Sequence, residues 1–103
     1  MFIARVAGQV VSSHKDAALI GSKLLLVEPL KVDAAKDGLG GGSYAPTGRA
    51  IVAVDRLGAG QGQLVLVTQG STSQLAEGCK GLPIDAAVIG LVGEVSIGGK
   101  AVK

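Results

Sequence analysis

The sequence predicts an all-β chain folded as a small closed or nearly closed barrel of five main strands with one short helix. Three observations carry that class. Five short apolar runs rich in Val, Ile and Leu follow one another at close spacing. Glycine, proline or small polar residues punctuate the chain between them. The chain, 103 residues with 48% hydrophobic content, suffices for one modest core, so residues 1–103 are expected to form a single domain. Phe2 and Tyr44 are the only aromatic residues, which leaves Val, Leu, Ile and Ala to fill that core. Closing the sheet on itself would remove the exposed strand edges that a chain this small can ill protect.

The elements follow in order. "FIARVAGQVVSS" (2–13) alternates loosely and is rich in β-branched residues, as a strand is. "HKDAALIGS" (14–22) reads as a polar connection turning at Gly21. "KLLLVEPL" (23–30) is a second strand, expected to end near a sheet edge at Pro29 because proline donates no ladder hydrogen bond. "DAAKDGLGGGSYAPTG" (33–48) crowds glycines between Gly38 and Gly42 and reads as one long, mobile loop with nothing to pack. "RAIVAVDR" (49–56) and "QLVLVTQG" (63–70) are two further strands joined tightly by "LGAGQG". Ser71, three residues before Gln74, matches a capping box, which predicts a helix of one or two turns over 72–78 ending at Gly78. "LPIDAAVIGLVGEVSI" (82–97) supplies the last strand, long enough to bend at Gly90 or Gly93, and "GGKAV" a closing hairpin.

Charge and cysteine content exclude several functions. A formal net charge of +2, dispersed along the chain, gives no footprint for nucleic acid or for an anionic membrane. Cys79 is alone, so the chain holds neither a disulfide framework nor a multi-cysteine metal site. No apolar run is long enough to span a bilayer, and the first residues lack the pattern of a signal peptide; a soluble cytoplasmic protein is expected.

The stretch "VDRLGAGQG" invites a phosphate-site reading that its spacing refuses. A dinucleotide fingerprint needs G-x-G-x-x-G at the start of a helix, whose N-terminus holds the pyrophosphate. Here the spacing is G-x-G-x-G and a β-branched run follows. A P-loop needs Gly-Lys before Ser or Thr, and no such run occurs. The glycines serve backbone geometry instead. His14 and Cys79 lack a third orienting group for nucleophilic catalysis. Asp55 and Asp85, each beside an apolar run, suit carboxylates that accept backbone N–H groups at strand ends. No catalytic, cofactor-binding or metal-ligating residue is assigned.

Four blocks, "ARVAGQVVSSHK", "GSKLLLVEPL", "AIVAVDRLGAGQGQLVLVTQGSTS" and "PIDAAVIGLVGEV", in this order over nearly the whole chain, resemble the EutN/CcmL family of bacterial microcompartment vertex proteins. The resemblance is most specific in "AVDRLGAGQGQLVL" followed by "QGSTS". It implies an OB-like five-stranded β-barrel that forms homopentamers, and a structural role plugging the fivefold corners of a polyhedral shell. It further implies hexameric or pseudohexameric shell proteins as partners and residence in that shell. The family usually has Glu at the place of Gln63, Ser-Ala-Arg at that of Thr72-Ser73-Gln74, and commonly Asp at that of Gly93. The chain therefore lacks charges that its relatives carry near the expected contacts.

Within this reading the expected subunit interface comprises Asp55, Gly58, Ala59, Gly60, Gly62 and Gln63, because small residues let two backbones approach closely. Two polar turns, Ser12, Ser13, His14, Lys15 and Gly70, Ser71, Thr72, Ser73, are the candidates for the fivefold axis. The alternative is an OB-type binding module for a ligand or single-stranded nucleic acid. Such modules need aromatic platforms and a basic groove, for which this chain is poorly equipped.

Overall fold

The computed structural model of the protein describes residues 1–12 and 16–103. Eight strands run in the order β1 (Phe2–Val10), β2 (Lys23–Ala34), β3 (Gly42–Pro46), β4 (Ile51–Asp55), β5 (Leu64–Gln69), β6 (Ala86–Leu91), β7 (Ser96–Ile97) and β8 (Lys100–Ala101). Short 3-10 turns occupy Ala17–Leu19 and Gly70–Leu75. The main sheet has the order β1-β5-β6-β4-β2-β3, and an added pairing of β1 with β2 closes five of its strands into a ring. The five are β1, β2, β4, β5 and β6, matching the five runs read from the sequence. All pairs in the ring are antiparallel except β4 with β6.

Alternation builds the core. Ala4 and Val6 of β1, Leu25 and Val27 of β2, Ala53 of β4, Val65 and Val67 of β5 and Val88 of β6 are buried together inside the ring. The interior is thus lined by compact residues, each larger one contributing roughly 1.5–3 kcal/mol when fully buried. On the outer wall, Leu24, Val54 and Ala87 occupy neighbouring positions of β2, β4 and β6. The segment after β5 straps across them and buries Cys79 there, against Ala76, Leu82 and Ile84. The lone thiol is a core residue, 1% exposed.

Three expectations need correction. Residues 33–48 do not form a long loop: β2 continues through Pro29 to Ala34, and Gly42–Pro46 folds back along it with Leu30 opposite Pro46 and Ala34 opposite Gly42. The alternation of Leu30, Val32 and Ala34 past the proline supports this strand. Pro29 is tolerated because its carbonyl, not a missing N–H, serves the pairing, accepting from the backbone N–H and hydroxyl of Thr47. Second, the expected helix over 72–78 is a 3-10 turn that starts earlier, at Gly70. Ser71 caps nothing, since Gln69 holds the cap position without a side-chain bond. Third, the last strand is shorter than 82–97, spanning Ala86–Leu91, and the chain beyond it separates into the β7–β8 hairpin.

The long β2 with β3 projects from the barrel as an arm, giving the molecule extents of 51 × 23 × 20 Å. The C-terminal hairpin packs on the tip of that arm. Gly41 donates to the Ile97 carbonyl at 2.7 Å and Lys103 donates to the Gly42 carbonyl at 3.0 Å.

Candidate assembly surface

The glycine-rich connection from β4 to β5 is ordered by one carboxylate. Asp55 ends β4 with its side chain buried, 3% exposed. Its two oxygens accept the backbone N–H of Leu57 at 2.8 Å and of Ala59 at 2.7 Å. Lys23 Nζ stands 3.9 Å from the same carboxylate and donates to the Ala59 carbonyl at 2.8 Å. The connection is then tied to β1: Gly62 donates to the Val6 carbonyl at 2.8 Å and Val6 donates to that of Gln63 at 3.0 Å. Gln63 closes the turn from within, its Oε1 accepting from Gly60 at 3.2 Å.

This wiring gives the small residues two different roles. Ala59 points inward, is fully buried and belongs to the barrel core. Its methyl is therefore used within its own subunit. Gly58, Gly60 and Gly62 face open space, with no atom of the chain within 4 Å of where a Cβ would stand. Gly58 and Gly62 also have positive φ of 85° and 84°, which side-chain-bearing residues rarely adopt. The connection is thus a ledge with a buried anchor, its glycines open to the approach of another backbone.

Of the two polar turns, Ser12 is half-buried just past β1, while Ser13, His14 and Lys15 lie outside the described residues. The second turn is locked within the chain. Gly70 donates to the Asp85 carbonyl at 2.6 Å. Ser73 is buried, its hydroxyl bonded to the Gly70 carbonyl at 2.6 Å and 3.3 Å from that of Ile84. Thr72 bonds the Gln69 carbonyl at 3.0 Å and meets the Thr68 hydroxyl at 3.1 Å. Ser71 and Gln74 remain exposed. Asp85 serves this turn through its backbone carbonyl; Asp55 is the carboxylate that accepts N–H groups at a strand end.

Lys23 and Arg5, which the sequence does not single out, also hold the ledge through hydrogen bonds to the Ala59 and Gly62 carbonyls. Arg5 Nη1 donates to the Gly62 carbonyl at 3.0 Å while its guanidinium lies 5.9 Å from the Tyr44 ring centroid on the arm. The contact joins residues far apart in the chain, so only the closed ring reveals it. Among the described residues, no three His, Cys, Asp or Glu side chains gather as a metal site would require. No helix among them is long and apolar enough to cross a membrane.

Comparison with known proteins fits this architecture. The shell vertex protein PduN of Salmonella typhimurium is 43% identical over 96 residues, spanning 93% of this chain and 99% of its own length. The solved structure of Gloeobacter violaceus CcmL superposes with a TM-score of 0.79 at 35% identity, covering 98% of this chain and 94% of its own. GrpN of Rhodospirillum rubrum, described as a pentameric microcompartment shell protein, gives a TM-score of 0.72 at 38% identity over 92% of this chain and 96% of its own. The sequence profile of the family described as ethanolamine utilisation protein EutN/carboxysome matches residues 1–93, and the chain belongs to that EutN/CcmL family.

Proposed function

We propose that this chain is a structural vertex subunit of a bacterial microcompartment shell, acting as a homopentamer and not as an enzyme. The observation that carries the reading is the end-to-end likeness to shell vertex proteins, of which GrpN is described as pentameric. The role is geometric. Hexagonal tiles lie flat, and a closed polyhedron needs fivefold corners, so a five-membered ring fills each corner among hexameric or pseudohexameric neighbours.

Such a ring is heterologous: one surface of each subunit meets a different surface of the next, and the rotation closes. The ledge of Gly58, Gly60, Gly62 and Gln63 is one such surface in this reading, with Asp55 and Ala59 holding it rigid from behind. The Gly70–Ser73 turn and Ser12 are the surfaces assigned to the fivefold axis in this reading. The test is the native mass of the purified chain by light scattering. A value near five times the 10.2 kDa monomer is expected, and a stable monomer or dimer at micromolar concentration would overturn the proposal.

A further inference from the structure

Arg56 and Glu28 are charges of opposite sign, each exposed and each with apolar side chains beside it. Neither side chain makes a hydrogen bond or ion pair among the described residues. Arg56 directly follows β4, and its guanidinium lies flat on Gly78. A Cβ on Gly78 would stand 2.8 Å from Nε and 2.9 Å from Nη2, so the guanidinium lies close against that glycine. There it rims a groove of about 470 Å³ whose other walls include Leu57, Ala76 and Ile89. Leu57 is 46% exposed, and Glu77 stands on the same rim without pairing with Arg56.

Glu28 projects from the outer face of β2, between the half-buried Leu26 and Leu30. Val32 and its partner Tyr44 continue that face onto the arm, and Val52, opposite Leu26, is 45% exposed beside it. Glu28's own cross-strand partner is Arg5, whose guanidinium is engaged with Gly62 and Tyr44 instead. The groove lies at the end of β4 and beside β6, which supplies Ile89, whereas Glu28 lies at the junction of β1 and β2. Each subunit thus carries a groove of mixed apolar and charged lining, with Arg56 unpaired on its rim, and an apolar stripe around the unpaired Glu28. A heterologous ring needs two such unlike patches.

We propose that the groove of one copy receives Glu28 and its apolar neighbours from the next copy around the ring, with Arg56 pairing Glu28 across every seam. The proposal rests on the pentameric reading and names the partner surface that the glycine ledge alone leaves undefined. In the assembled seam both charges lose water together, where a mutual ion pair is much stronger than on an exposed surface.

The test is a charge-swap series on the full chain: wild type, Arg56→Glu, Glu28→Arg and the double variant, followed by light scattering across concentration. Both positions are exposed, so far-UV circular dichroism is expected to show all four folded. Each single reversal opposes like charges in every seam and should raise the midpoint concentration of assembly about a hundredfold or more. The double variant restores the attraction and should recover most of the ring. Single variants that assemble like a pentameric wild type would overturn the pairing while leaving the pentamer standing. Failure of the double variant to recover also refutes it. A monomeric wild type removes the pentamer itself, and the pairing with it.

Discussion

The buried carboxylate of Asp55 holds the backbone N–H of Ala59 at 2.7 Å, and that one bond turns a flexible glycine run into a fixed ledge. The other oxygen holds Leu57, so a single side chain orders the first half of the connection. Because the group is buried, losing it strands two donors and an ammonium partner together.

Replacing Asp55 with Ala should therefore destabilise the chain by about 2–4 kcal/mol, the cost of leaving hydrogen-bonding groups unpaired beside the core. Asn retains one acceptor oxygen and should cost less. Urea unfolding of the two variants checks the order, and an Ala variant as stable as wild type would contradict the anchoring role.

Ala59 and Gly60 are neighbours in sequence with opposite surroundings, so the same substitution should separate folding from assembly. Ala59→Leu overfills the barrel and is expected to cost about 1–3 kcal/mol in unfolding free energy. A Cβ at Gly60 would meet no atom within 4 Å beyond its chain neighbours, and its φ is ordinary, so Gly60→Leu should leave stability near that of the wild type. What it should weaken is self-association, read as a lower mass by light scattering. Equal loss of stability in both variants would refute the division of roles.

That division shows how far the sequence is legible. Strand runs such as "QLVLVTQG" declare themselves because burial on one face imposes a period of two, and the structure places β5 on that run. The glycine stretch was legible as backbone geometry, but not which of its residues faces inward, since Ala59 is buried by Val6 and Leu25 from distant strands. The arm was hidden for a related reason. Glycine and proline mark turns locally, yet Gly42 and Pro46 here bound a strand that folds back along the end of β2, with Gly42 opposite Ala34 and Pro46 opposite Leu30. The helix over 72–78 was misread because Ser71 and Gln74 fit a capping box by spacing, while Ser73 reaching the carbonyls of Gly70 and Ile84 selects the tighter turn.

The barrel should not bind single-stranded DNA or RNA. Stacking platforms are limited to Phe2, which packs against the core, and Tyr44, which lies beneath Arg5. With a net charge of +2 there is little counterion release to gain. Fluorescence anisotropy at physiological salt should show no saturation into the micromolar range, and sub-micromolar binding would revive the binding-module reading.

Gly42 offers the sharpest test of the arm. A Cβ there would collide with the Asp33 carbonyl oxygen and stand 3.2 Å from the Ala34 Cα, both backbone atoms that cannot rotate away. Gly42→Ala should therefore pry β3 from the end of β2, at a local cost of about 1–3 kcal/mol. The bonds from Ala35 to the Gly41 carbonyl and from Lys103 to the Gly42 carbonyl would loosen with it, freeing the C-terminal hairpin. The core inside the ring lies at the other end of β2, around Leu25 and Val27, and should be untouched. Hydrogen exchange would then show faster exchange at Ala35 and Lys103 with protection retained at Val27 and Val67. Unchanged exchange at the arm would mean that its strands can separate to admit the methyl at no cost. Lost protection at Val67 would mean that the arm and barrel unfold as one unit.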